Sequence, residues 1–522
     1  MQRNPCATRR GRFGFALVVL VCATGWLSYP AAALEPGEDH DAPASEKPAD
    51  EKPDSETPDG PPEVSITRAD LAASYLRLEE AFFARRPPAE ETAKINVAFD
   101  DATRSFFLGN NARAIAQIDR LADSLAAEEL SPAERALSTL KVGIEPPCWP
   151  AGQPVEAVCR LVSIYALPSE DPVQADLRLT VESPTGETIA SVPLQLTFGA
   201  EHLVDLSVPL AVPGGRLSPG LHRVTLTSGK DRSLPVGRVH VIAGEPIDEQ
   251  RKAHEQRLAK LEPSTPAAAQ AIAICRARNR LLDSRPSEDN SAQFLSDLNA
   301  LAADVAAEVR ALEAGKQPYL SRQGDTWRAL PVGKREIPLR LYVPKLTEQK
   351  AAPLLVVLHG MGGDENMFFE AYGAGVVKRI ADEKGLIVAS PLTYSFGGSV
   401  KTLEALVDAL QHDYSIDRDR VYVLGHSMGA GTAASLARGN ADTVAAACCI
   451  AGGRFQAAPD SAPILVVSPA LDGIVPPKRV QDACQQAISA GMPGELKIMP
   501  DYGHTLSVGA VLPEAIDWLL GH

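Results

Sequence analysis

The chain has 522 residues, with 51 Lys and Arg against 66 Asp and Glu, a formal charge of −15. Hydrophobic residues make up 45% and charged residues 22%, which excludes a wholly disordered or fibrous chain. At roughly 150 residues per domain the length predicts about three domains. An acidic surface with no long basic run repels phosphate backbones, so nucleic acid is excluded as an expected partner.

Residues 1–12 carry Arg3, Arg9, Arg10 and Arg12 and no acid. An uncharged apolar run over 13–27 follows, and then Tyr29-Pro30-Ala31-Ala32-Ala33. A positive start, a short apolar core and a small-residue ending predict a secretory signal peptide over 1–33. The alternative is an uncleaved anchor, although Pro30 and the alanines leave the run short of the ~20 residues that span a bilayer. The expected location is therefore secreted, periplasmic or in the cell envelope. Six cysteines follow residue 33: Cys148, Cys159, Cys275, Cys448, Cys449 and Cys484. Cys148 and Cys159 are the nearest candidates for a disulfide, and no metal spacing is present.

Residues 34–63 hold eleven acids, two lysines and many prolines, which predicts an acidic, disordered linker. Helical spacing returns over 64–144: Leu71, Tyr75 and Leu78 share a face that Phe82 and Phe83 extend. Phe107-Leu108-Gly109-Asn110 breaks one helix before another begins, giving a helical hairpin. Over 145–244 six or seven short alternating runs, divided by turns such as Ser183-Pro184-Thr185-Gly186, predict an immunoglobulin-like β-sandwich. Residues 245–317 are again helical and are expected to pack on the first helical segment. Surface or protein partners are the expected role of these upstream modules.

Residues 318–522 read as a catalytic α/β domain. Leu354 to Leu358 is wholly apolar, as a strand buried on both faces of a parallel sheet requires. Buried strands near 386–391 and 420–424 alternate with helical stretches, which predicts a mostly parallel sheet with helices on both faces. The third strand runs into Gly425-His426-Ser427-Met428-Gly429 and then an alanine-rich helix. This is G-x-S-x-G in its strand–turn–helix setting, and it presents Ser427 as a nucleophile.

A serine needs a base, and the base needs an acid. His504, after a short strand at 495–499, is the candidate base. Asp472, in the loop after the buried run Pro463 to Val467, is the candidate acid, with Asp501 second. Asp460 precedes that strand and Asp482 falls in a helix. The amide of Met428 and that of Met361, in the loop His359-Gly360-Met361-Gly362-Gly363, are the candidate oxyanion donors. The loop 393–398 is expected to face the site.

These residues resemble the α/β-hydrolase superfamily, and within it the compact serine esterases. The likeness is to carboxylesterases and phospholipases, polyhydroxybutyrate depolymerases and feruloyl esterases, and prolyl-oligopeptidase-like hydrolases. It covers about residues 318–522 and rests on the segment from Tyr414 to Gly429, on Asp472 with Val475-Pro476, and on Gly503-His504. Two departures are Val467-Ser468-Pro469-Ala470, where these families often end the strand in His-Gly, and Gly429-Ala430-Gly431 after the nucleophile. Dienelactone hydrolases share the fold with a cysteine nucleophile, and the serine here argues against that chemistry.

The resemblance implies Ser427 as nucleophile, Asp472 as acid, His504 as base, and no metal or cofactor. The expectation is an exported serine hydrolase of small-molecule or polymer esters. About 205 residues leave no room for a large lid between strands, which predicts a shallow, open site for short-acyl or soluble esters. The alternatives are a prolyl-oligopeptidase-like peptidase and a cell-surface interaction protein with an idle hydrolase domain.

Overall fold

The computed structural model describes residues 66–126, 129–146, 148–228, 239–243, 245–283, 298–333, 335–345 and 351–522. The signal peptide expected over 1–33 and the linker over 34–63 lie outside the described residues.

Helices α1 (Arg68–Arg85), α2 (Ala89–Phe107), α3 (Asn111–Ser124) and the short α4 (Pro132–Leu137) open the described chain. Their ends follow from side chains that satisfy the orphan amides of a helix N-terminus. The Asn110 side chain accepts from the amide of Arg113, and Ser131 and Glu134 close a capping box. Gly109, at φ 75°, makes the turn between α2 and α3 that a side chain would strain.

Eight strands follow: β1 (Leu140–Glu145), β2 (Cys148–Trp149), β3 (Val155–Ser163), β4 (Val173–Glu182), β5 (Thr188–Phe198), β6 (Asp205–Val212), β7 (Gly220–Ser228) and β8 (Val239–Ala243). They form two sheets, ordered β1-β3-β6 and β2-β8-β7-β4-β5. Alternate residues of β3 and β4 point inward, and Trp149, Leu161 and Phe198 are fully buried in one core shared by both sheets. Strand β1 falls inside the segment expected to be helical up to 144: its alternation is too short to stand out beside the preceding helix. Cys148 lies on the five-stranded sheet and buried Cys159 on the three-stranded one, and no disulfide joins them.

Helices α5 (Ile247–Leu258), α6 (Pro266–Arg280) and α7 (Leu298–Glu313) share a core with Tyr319. They pack on the C-terminal domain and not on α1–α3 as expected. Gln270 donates to the carbonyl of Ala409, and Arg280 pairs with Glu336 at 2.6 Å. Buried Arg278 pairs with buried Glu308, which also accepts from Tyr319.

The remaining elements are β9 (Gly324–Val332), β10 (Arg335–Val343), β11 (Ala352–Leu358), α8 (Val376–Lys384), β12 (Ile387–Pro391), α9 (Thr393–Phe396), α10 (Val400–Gln411), β13 (Ile416–His426), α11 (Met428–Ala437), β14 (Ala446–Ile450), β15 (Ile464–Pro469), α12 (Pro477–Ser489), β16 (Gly494–Met499) and α13 (Leu506–Leu520). The sheet order is β16-β15-β14-β13-β11-β12-β10-β9, parallel from β16 to β12 with an antiparallel β9–β10 hairpin at one edge. Strands β11, β12, β14 and β15 are buried along their whole lengths. Leu354, Val356 and Leu358 face one core, Leu355 and Val357 the other, so helices cover both faces. The carboxyl ends of β11, β13, β15 and β16 open on one side, where ligands of open α/β sheets bind.

Candidate active site

Strand β13 delivers Ser427 into a turn so tight that only glycine fits beside it. A Cβ on Gly425 would lie 2.0 Å from the Gly429 carbonyl oxygen, and one on Gly429 would lie 2.0 Å from that of Leu358. Ser427 itself has φ 54° and ψ −111°, a conformation that side chains rarely adopt. Its amide donates to the Ile450 carbonyl at 2.9 Å, so the neighbouring strand β14 holds the turn. Helix α11 begins at Met428, whose amide therefore sits in the first turn, where helix N–H groups lack intrahelical partners.

His504 lies in the loop after β16 and Asp472 in the loop after β15. The His504 Nδ1–H donates to Asp472 Oδ2 at 2.8 Å, and both side chains are buried. The other carboxylate oxygen accepts from the amides of Ile474 and Val475 at 2.8 and 2.7 Å, which fixes its plane. With Nδ1 donating to Asp472, Nε2 is the ring nitrogen left to accept a proton. Asp501 is half-buried in the same loop as His504, Asp482 pairs with Lys478 on α12, and Asp460 lies in an exposed turn.

Ser427, His504 and the loop from Met361 to Asp364 line one cleft of about 840 Å³, counting its open mouth. Met361 is 43% exposed at its edge. The loop at 393–398 reaches it: the amide of Gly362 donates to the Tyr394 hydroxyl at 2.5 Å. Beneath the loop, the His359 Nδ1–H donates to the Gly360 carbonyl and Nε2 accepts from the amide of Thr393. Burial holds His359 neutral, its pKa lowered to about 4.

His426, next to Ser427, was not singled out in the sequence. Its Nε2–H donates to the His504 carbonyl at 3.1 Å, so Nδ1 must accept from the Tyr372 hydroxyl at 2.8 Å. Burial holds its pKa well below the usual value, and the proximity of His504 adds to the effect. A neutral imidazole thus ties the His504 backbone to Tyr372.

The roof of this cleft is the largest departure from the sequence reading. Helices α1–α3 wall the cleft on one side, so it is not the bare, shallow site expected; this wall lies hundreds of residues upstream, where the domain's own length gives no hint of it. Asp100 on α2 accepts from the amides of His504 (3.0 and 3.1 Å) and Gly473 (2.8 Å). Asn96, one turn earlier, accepts from the amide of Gly503 at 2.8 Å, and Arg104 donates to the Gly473 carbonyl at 2.7 Å. One polar stripe on α2 therefore grips both the loop that holds Asp472 and the loop that holds His504. Burial raises the Asp100 pKa, and the bonds from Gly473 and His504 oppose the rise. On α1, fully buried Glu79 accepts from Tyr75 (2.5 Å) and from the amide of Gly373 (3.2 Å), yet burial still pushes its pKa up to about 8. Sequence reasoning singled out none of Asn96, Asp100, Arg104 and Glu79, although Glu79 sits at helical spacing from Tyr75 and Phe82 on the apolar face of α1, a buried acid that the pattern could have flagged.

Among the described residues, no group of three or more His, Cys, Asp or Glu could hold a metal ion, and no helix is long and apolar enough to cross a membrane.

Residues 388–508 match the dienelactone hydrolase family. The matched stretch contains Ser427, Asp472 and His504. Similar solved structures each align with 38% of this chain. One is a fluorophosphonate-binding serine hydrolase of Staphylococcus aureus (16% identity, 99% of that chain, TM-score 0.32). Another is an S-formylglutathione hydrolase from Agrobacterium tumefaciens (16%, 96%, 0.33), and a third a ferulic acid esterase (17%, 98%, 0.33). The C-terminal domain is α/β-hydrolase-like, and its family match is to hydrolases.

Proposed function

We propose that the chain is an exported serine hydrolase that cleaves carboxylic esters through an acyl-enzyme intermediate. The observation that carries this reading is the 2.8 Å Asp472–His504 bond at the wall of the same cleft that strained Ser427 enters. Ser427 Oγ attacks the ester carbonyl carbon while His504 Nε2 takes its proton. Asp472 holds the ring in the Nδ1–H tautomer and stabilises the imidazolium that forms. The amides of Met428 and Met361 receive the oxyanion. The tetrahedral intermediate expels the alcohol, which takes the proton from His504, and water attacks the acyl-serine by the same route. Export rests on the composition of residues 1–33, and an immunoglobulin-like reading of the two upstream sheets rests on their shared core and strand count.

Turnover of p-nitrophenyl acetate by the full chain tests the proposal. Ser427→Ala is expected to lower kcat by about 10⁴-fold or more, and Asp472→Asn by about 10³- to 10⁴-fold. Undiminished turnover in Ser427→Ala would overturn the assignment.

A further inference from the structure

The cleft beside Ser427 has two unlike halves. The hydrolase side carries the polar groups described above. The roof is mostly apolar, with Tyr75 from α1, Phe99, Ala102 and Phe106 from α2 and Ile118 from α3; Arg68, a cation on α1, is turned to the Gly362 carbonyl at 2.5 Å. Phe99, Ala102 and Phe106 recur at spacings of three and four, so they share one face of α2. Phe99 stacks on Tyr75 with ring centroids 5.4 Å apart, which fixes the back wall. Phe106 lies over the candidate oxyanion loop, close enough that a Cβ on Gly362 would come within 2.5 Å of its ring. An apolar wall facing a few polar groups is the arrangement by which a pocket buries an apolar body and orients it.

We propose that helices α1–α3 form a binding site for an apolar group flanking the scissile ester, so that selectivity comes from outside the hydrolase domain. The inference rests on the serine-hydrolase reading above and specifies its substrate class: esters with a medium-length aliphatic chain on one side of the carbonyl. Each methylene that enters the cleft leaves water, which raises kcat/KM by about threefold to fourfold. The chemistry is the same whether the acyl or the alcohol half occupies the roof.

The experiment measures kcat/KM of the full chain on two series. One holds the p-nitrophenyl group and lengthens the acyl chain from acetate to octanoate; the other holds the acetyl group and lengthens the alcohol from ethyl to octyl. A rise of about 30-fold or more in one series supports the site and names the half that occupies it. Flat or falling values in both, with Ser427-dependent hydrolysis of acetate intact, overturn the site and leave the reaction standing. Absence of Ser427-dependent hydrolysis on every ester sinks the parent reading instead. Two variants act in opposite directions: in whichever series rises, Ala102→Trp should cut the ratio of kcat/KM on the eight-carbon member to that on the two-carbon member by about tenfold, and Phe106→Ala should extend the tolerated length. An unchanged ratio in both, each with a wild-type melting curve, contradicts the proposal even if one series rises.

Discussion

Asp100 holds the backbone amide of His504 from 404 residues away in sequence, with its two oxygens at 3.0 and 3.1 Å. The same carboxylate takes the amide of Gly473, the residue after Asp472. A side chain of the upstream helices thus joins the Asp472 loop to the His504 loop through their backbones.

Asp100→Asn tests this positioning role. Oδ2 accepts from both Gly473 and His504 and Oδ1 from His504 alone; in the asparagine one of these oxygens becomes an N–H₂ that faces the His504 amide donor to donor, at a cost of about 1–3 kcal/mol. The expected result is a kcat lowered by about 10- to 100-fold with a smaller change in KM. An unchanged kcat in a folded variant would show that the loops hold their geometry without α2.

Glu79 gives the docking of α1 a pH dependence. Its pKa is pushed up to about 8 from an ordinary 4.5, chiefly by burial. Between those values the folded chain binds a proton that the unfolded chain does not. Its contribution is therefore fully present below about pH 4.5 and is lost as the pH rises through about 8, an effect of a few kcal/mol. Melting temperature against pH should fall less steeply over that window in Glu79→Gln than in the wild type. Parallel curves would contradict the assignment.

Ser427 stores backbone strain, because φ 54° with ψ −111° suits glycine and not serine. Ser427→Gly should relieve about 1–3 kcal/mol of strain and return about 0.5–1 kcal/mol to unfolded-chain entropy. A net gain in stability with complete loss of ester turnover is expected. A loss of stability measured in denaturant would mean that the serine side chain repays the strain through contacts of its own.

Tyr372→Phe removes the donor to His426 Nδ1 and leaves a buried acceptor unpaired. His426 is already held neutral, so the variant should lower kcat by about tenfold without moving the pH profile. A shifted profile would mean that His426 titrates during turnover.

Much of the catalytic domain was legible because its chemistry is local. The glycines around Ser427 are demanded by atoms two to four residues away or on adjacent strands, and uninterrupted apolar runs announce strands buried on both faces. The β9–β10 hairpin and β14 escaped notice: β9 and β10 mix Arg328, Arg335 and Arg340 with apolar residues, and Ala446-Ala447-Cys448-Cys449 lacks β-branched residues until Ile450. The roof was illegible for another reason. Asn96 and Asp100 acquire meaning only against the amides of Gly473, Gly503 and His504, and no local pattern in α2 encodes partners so far along the chain. The open site inferred from a 205-residue domain failed for the same cause.

The most direct test of the central claim is mass spectrometry of the full chain after reaction with a fluorophosphonate. One adduct per chain on the peptide carrying Ser427, strongly slowed in His504→Ala, is the predicted result. An unlabelled Ser427 in protein that still hydrolyses p-nitrophenyl acetate would contradict the account.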